Sequence, residues 1–108
     1  MFYGLFDLLF LCRMAEQNFS YEHLFNFTKT VFQKIGCSEE HADTATRSLL
    51  SADLRGVDSH GVARLSGYVR LWEAKRVNAK PVIKVIHETQ STAVVDGDSG
   101  LGLVVAPV

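Results

Sequence analysis

The sequence predicts an α+β fold in which three helices precede a β-hairpin. Apolar residues recur at every third or fourth position through residues 20–36, 38–55 and 59–75, the spacing that keeps one helix face apolar. Beyond Pro81 the period changes, and residues 82–87 and 92–96 are runs rich in β-branched side chains, as strands are. With 47% hydrophobic residues and only 2 prolines in 108 residues, the chain can bury a core and amounts to one domain at most.

Ser20 is placed to cap the first helix, whose face of Leu24, Phe27, Val31 and Ile35 is expected to be core and which ends at Gly36. Ser38 caps the second, with Glu39 and Glu40 in its first turn, where carboxylates meet the positive end of the helix dipole. Its seam of Ala42, Ala45, Leu49 and Ala52 lets another helix approach closely, and Arg55-Gly56 closes it. The third helix is expected to start from an N-cap at Asp58 or Ser59, with Val62, Leu65, Val69 and Trp72 on its apolar side. Glu88-Thr89-Gln90-Ser91 joins the two strands. Residues 97–102 read as a flexible glycine turn from strand to helix, and residues 103–106 as an unfinished last element.

Charge and cysteine usage narrow the function classes. Eleven basic against 12 acidic residues leave a net charge of −1, so neither a nucleic acid nor a membrane surface is an expected partner. Cys12 and Cys37 form no CxxC pattern and read as free thiols in a reducing, cytoplasmic setting. Residues 1–12 are apolar at ten of twelve positions, yet a bilayer span takes ~20 residues and a signal peptide carries a basic start. Residues 1–14 are therefore expected to be a disordered or alternative leader, with Met14 available as a second start. His23, His41, His60 and His87 show no paired ligand spacing, so no metal site is expected. Asp96-x-Asp98 begins like a calcium loop, but Gly100 stands at the fifth position and Pro107 at the twelfth. Phe25, Phe27, Phe32 and Trp72 read as core or interface, since no basic stripe accompanies them as in a base-stacking platform.

The most informative run is Asp53-Leu54-Arg55-Gly56-Val57-Asp58-Ser59-His60-Gly61-Val62-Ala63-Arg64-Leu65-Ser66-Gly67-Tyr68. On a helix entered near Ser59, successive residues turn by about 100°, which brings His60, Arg64 and Tyr68 onto one polar stripe. An imidazole exchanges a proton near neutral pH, a guanidinium grips a carboxylate through two parallel hydrogen bonds, and a phenol donates to a carbonyl or carboxylate oxygen. Together they suit a small anionic substrate in a proton-coupled reaction at carbon. On spacing alone the stripe also fits a solvated helix face, where polar pairs four residues apart are common.

The run from Ala52 to Leu65, followed by Tyr68, resembles the N-terminal signature of the malate/L-lactate dehydrogenase family that is distinct from the Rossmann-fold lactate and malate dehydrogenases. The resemblance extends from Phe19 to about Val105, through the two-helix entry to Val94-Val95-Asp96-Gly97-Asp98 with Gly100 and Gly102. It implies an NAD(P)-dependent oxidoreductase that interconverts a 2-hydroxy acid and a 2-oxo acid and works as a homodimer. For this chain it implies His60 as catalytic acid/base and Arg64 as the binder of a small carboxylate substrate, with Tyr68 beside it and Ser59 shaping the pocket. It further implies that residues 15–108 are the N-terminal part of a larger non-Rossmann NAD(P)-binding fold, truncated before the cofactor-binding region. NAD or NADP would then be held mainly by residues outside this chain, and no cofactor-binding residue is assigned within it. The glycine turn agrees, reading G-x-x-G-x-G where a dinucleotide fingerprint reads G-x-G-x-x-G. Leu103 and Pro107 depart from the family pattern. The competing expectation is a catalytically inactive fragment or isoform that acts only as an interaction module on a full-length subunit.

Overall fold

Two serine caps set the first half of the chain. In the computed structural model, which describes residues 17–107, the Ser20 hydroxyl accepts a hydrogen bond from the His23 N–H at 3.2 Å and opens α1 (Tyr21–Lys34). Ser38 does the same for the His41 N–H at 3.2 Å and opens α2 (Glu39–Leu54). Each cap satisfies one of the N–H groups that a helix start leaves unpaired. Gly36 and Gly56, at φ of 106° and 74°, end the two helices in a backbone region that glycine enters without steric cost. The leader over residues 1–14 and Cys12 lie outside the described residues.

α1 and α2 pack against each other, and the core forms where they meet. The seam expected on α2 is present: Ala42, Ala45 and Leu49 are buried, Ala52 is half-buried, and Thr46 and Leu50 join them. On α1 the expected face is displaced. Phe32 and Thr28 are fully buried beside Ile35, whereas Phe27 is 55% exposed and Leu24 and Val31 are only half-buried. At about 100° per residue this is a rotation of roughly 60°. Phe32 packs in one cluster with Ala42 and Ala45 of α2, and Phe27 is left at the surface.

The third helix is shorter than expected and arrives by a different route. Two 3-10 turns, Asp58–His60 and Val62–Arg64, precede α3 (Leu65–Glu73), and neither Asp58 nor Ser59 serves as a side-chain cap. The break lies at Gly61, whose φ of −90° and ψ of −146° are not helical. Leu65 enters the core, Val62 and Val69 pack partly against it, and Trp72 stays 37% exposed.

β1 (Lys84–Glu88) and β2 (Ala93–Asp96) form the expected antiparallel hairpin, with Lys84 opposite Asp96 and Glu88 opposite Ala93. The register shifts between Val85 and His87, and the Thr89 and Thr92 hydroxyls meet at 2.7 Å across the turn. Both strands are exposed along their length.

The glycine turn after β2 is tied down, contrary to its flexible appearance in sequence. The Asp98 carboxylate accepts from the Val82 N–H and from the Asn78 side-chain amide, both at 3.0 Å, and the Asn78 N–H donates to the Ser99 carbonyl at 2.9 Å. Behind it the last element becomes a fourth helix, α4 (Gly102–Val105), which sends Leu101 and Val104 into the core against α2. Four helices and a two-stranded antiparallel sheet thus make up the described α+β fold. Among the described residues no helix is long and apolar enough to cross a membrane.

Candidate active site

The site is built on the irregular link between α2 and α3. After the turn at Gly56, the Val57 N–H donates back to the Ala52 carbonyl at 2.9 Å, which aims the chain alongside the end of α2. The Asp53 carboxylate, on the last turn of α2, then accepts a hydrogen bond from the Val62 N–H at 2.7 Å. Gly61 is buried against that carboxylate, and a Cβ at this position would overlap it. The link is therefore pinned from α2 at the point where one 3-10 turn gives way to the next.

Four sequence-predicted site residues sit on this link and the start of α3. His60 ends the first 3-10 turn, Arg64 ends the second, and Tyr68 lies in the first turn of α3. The continuous helical stripe drawn from the sequence does not exist, because Gly61 interrupts it. The three side chains nevertheless line one open groove of about 520 Å³ together with Gly67 and Leu71. Ser59 is not part of that lining. Its hydroxyl lies 2.9 Å from His60 Nδ1. Arg64 Nε donates to the Ser59 carbonyl at 2.6 Å, which fixes the guanidinium by one edge and leaves its two terminal nitrogens without a partner among the described residues. Tyr68 is half-buried and leans on Phe32.

This arrangement can hold a carboxylate and move a proton. A guanidinium fixed through Nε still presents a pair of parallel donors, the geometry that matches a carboxylate. When His60 Nδ1–H donates to the Ser59 oxygen, Nε2 carries the lone pair. Protonation at Nε2 then gives an imidazolium that keeps the same Nδ1 bond. One ring orientation thus serves both as base and as acid.

Asp53 is the residue that sequence reasoning missed. It belonged to the singled-out run without a role of its own. A carboxylate in the last turn of a helix faces the negative end of the dipole, and such a local conflict points to a task elsewhere. Groove size would not have located the site, since a groove of about 510 Å³ beside Phe19 and Leu54 and one of about 500 Å³ between α1 and α3 are equally large. The chemistry of the lining distinguishes them.

The described residues show no Rossmann-type dinucleotide cradle. The sheet is a lone antiparallel hairpin with no parallel crossover. Its glycine turn is packed shut: a Cβ at Gly97 would meet Val105 at 2.8 Å, and one at Gly100 would meet Pro81 at 2.7 Å. Among the described residues no group of three or more His, Cys, Asp or Glu side chains stands together as a metal site.

Residues 19–108 match the family model described as malate/L-lactate dehydrogenase. The chain is 49% identical over 84 residues to a malate dehydrogenase of Pyrococcus horikoshii, covering 78% of this chain and 23% of that protein. It is 43% identical over 75 residues to an L-sulfolactate dehydrogenase of Methanocaldococcus jannaschii, covering 69% of this chain and 22% of that protein. The solved malate dehydrogenase of Pyrococcus horikoshii superimposes with a TM-score of 0.80 at 45% identity, over 84% of this chain and 26% of its own. A delta1-piperideine-2-carboxylate reductase of Pseudomonas syringae superimposes with a TM-score of 0.74 at 28% identity, over 85% of this chain and 28% of its own. The chain spans about a quarter of the length of the relatives it matches.

Proposed function

The chain belongs to the malate/L-lactate dehydrogenase family, and we propose that it supplies the proton-transfer and carboxylate-binding half of an NAD(P)-dependent 2-hydroxy acid dehydrogenase site. The observation that carries this reading is the groove in which His60, Arg64 and Tyr68 converge, with the Ser59 hydroxyl at His60 Nδ1. Relatives named as malate and sulfolactate dehydrogenases act on 2-hydroxy acids, which present a carboxylate beside the reacting carbon.

In the reductive direction, the terminal nitrogens of Arg64 hold the carboxylate of a 2-oxo acid and Tyr68 donates to it from the groove wall. His60 Nε2 gives its proton to the carbonyl oxygen as that oxygen becomes an alkoxide. In the oxidative direction the same nitrogen removes the hydroxyl proton. When bound, NADH or NADPH would supply the hydride in the reductive direction and NAD+ or NADP+ would accept it in the oxidative one, held by parts of family members beyond the matched quarter. Residues 15–108 are on this reading the N-terminal part of the dehydrogenase domain of a homodimeric, cytoplasmic enzyme. The free, buried Cys37 suits a reducing compartment.

The test uses the longest natural chain that contains these residues, assayed with NADH and NADPH against pyruvate, oxaloacetate and sulfopyruvate. His60→Asn is expected to abolish turnover while sparing cofactor binding. Arg64→Lys, which replaces a bidentate fork by a point charge, is expected to raise KM about 10-fold or more. An unchanged kcat in the first variant would remove His60 from the chemistry.

A further inference from the structure

The end of α2 carries a group that touches neither the His60 groove nor the apolar core. Asp53 is half-buried, its Oδ2 accepts from the Val62 N–H at 2.7 Å, and its carboxylate occupies the space beside Gly61. Val62 is flanked by Gly61 and Ala63, so this bond falls midway between His60 and Arg64. Neither 3-10 turn has a side-chain cap of its own, and α3 has none either. The Asp53 carboxylate is therefore a cap delivered from a different helix, and it grips the backbone N–H of the residue midway between the two functional side chains.

We propose that Asp53 is the positioning residue of this site, setting the separation and aim of the His60 imidazole and the Arg64 guanidinium through the Val62 amide. The proposal rests on the reading of His60 and Arg64 given above. Three features of the chain fit it. An acid at the C-terminal end of α2 opposes the helix dipole and so gains nothing for its own helix. Gly61 is a glycine because any Cβ would displace the carboxylate. The Arg64 side chain returns to the Ser59 carbonyl at 2.6 Å, so a loop pinned at Val62 moves the guanidinium and the imidazole as one piece. Misplacing reacting groups by about 1 Å costs on the order of 10²-fold in rate, so an anchor of this kind governs activity without contacting substrate.

Nuclear magnetic resonance on the full 108-residue chain tests the proposal, with the Val62 amide, the His60 ring nitrogens and the Arg64 Nε signal as reporters and pyruvate as the probe. Asp53→Ala is expected to shift the Val62 amide, remove its protection from hydrogen exchange, alter the His60 tautomer signature and weaken the pyruvate response at Arg64 at least 10-fold. Asp53→Asn keeps a carbonyl oxygen for the same bond and is expected to restore all four. Gly61→Ala is expected to mimic Asp53→Ala when introduced alone, and to add nothing in the Asp53→Ala background, where the overlap is gone. The proposal is overturned if the Val62 and His60 signals of Asp53→Ala stay at their wild-type positions, if Asp53→Asn fails to restore them, or if the two substitutions act additively. A wild-type chain that ignores pyruvate would instead overturn the carboxylate-binding role, and the Val62 and His60 signals would still decide the role of Asp53.

Discussion

The Tyr68 ring tilts at 49° against the Phe32 ring with centroids 6.4 Å apart, and Phe32 has 0% of its surface exposed. One wall of the candidate site is thereby fastened to the centre of the α1–α2 core. Aromatic pairs in tilted contact are favoured by the ring quadrupoles, and a fully buried partner leaves the phenol few alternative positions. Stability and site geometry meet at this one contact.

Phe32→Ala follows from that relationship. Removing a fully buried phenylalanine costs the transfer free energy of the ring plus that of the cavity, about 3–5 kcal/mol. The variant is expected to lose that much stability in chemical denaturation. In whatever fraction stays folded, Tyr68 should gain mobility while the Ser59–His60 contact, which lies on the link pinned by Asp53, persists. Phe27→Ala, on the exposed side of α1, is expected to change stability by less than about 1 kcal/mol. Equal losses in the two variants would place the core on the face that periodicity alone suggested.

That contrast marks how far the sequence carries. The two serine caps, the α2 seam and the hairpin were legible because each depends on local spacing and residue type. The buried face of α1 was not. Leu24, Phe27, Val31 and Ile35 and the observed Thr28, Phe32 and Ile35 both recur at helical spacing, and the choice between them is made by the small residues of α2. His60, Arg64, Tyr68 and Ser59 were legible as a set, whereas the path that brings them together was not. A helix wheel assumes unbroken 3.6-residue turns, and Gly61 departs from them because a carboxylate eight positions earlier occupies its flank. The tail turn was misread as flexible for the same reason, since Asp98 finds its partners at Asn78 and Val82.

Ser59→Ala separates orientation from chemistry. The substitution deletes the hydroxyl 2.9 Å from His60 Nδ1 but leaves the Ser59 carbonyl that holds Arg64. A neutral hydrogen bond of this kind is worth about 0.5–1.5 kcal/mol, which corresponds to roughly 2–10-fold in kcat. KM for the 2-oxo acid is expected to stay near its wild-type value, because the carboxylate grip is untouched. Steady-state kinetics on the longest natural chain read the split. A raised KM with unchanged kcat would assign Ser59 to substrate contact and not to the imidazole.

The pH dependence of stability has a source near the other end of α2, at Asp43. Asp43 accepts from Arg47 Nε at 2.6 Å and lies 3.4 Å from Lys29 Nζ, which also reaches Glu39 at 3.5 Å. The hydrogen bond from Arg47 is the main cause that holds the Asp43 carboxyl below its ordinary value of 3.8. A carboxyl whose value is lower in the folded chain than in the unfolded one binds more protons when unfolded. Its contribution to stability is then fully present above 3.8 and is lost as pH falls through the lower folded value. Asp43→Asn should accordingly lower Tm at neutral pH, with the gap to wild type closing as the solution is acidified below the ordinary carboxylate range. The side chains are solvent-accessible, so high salt should narrow the same gap at neutral pH. Thermal unfolding of both chains across pH and ionic strength checks the argument, and a gap that widened on acidification would reverse its sign.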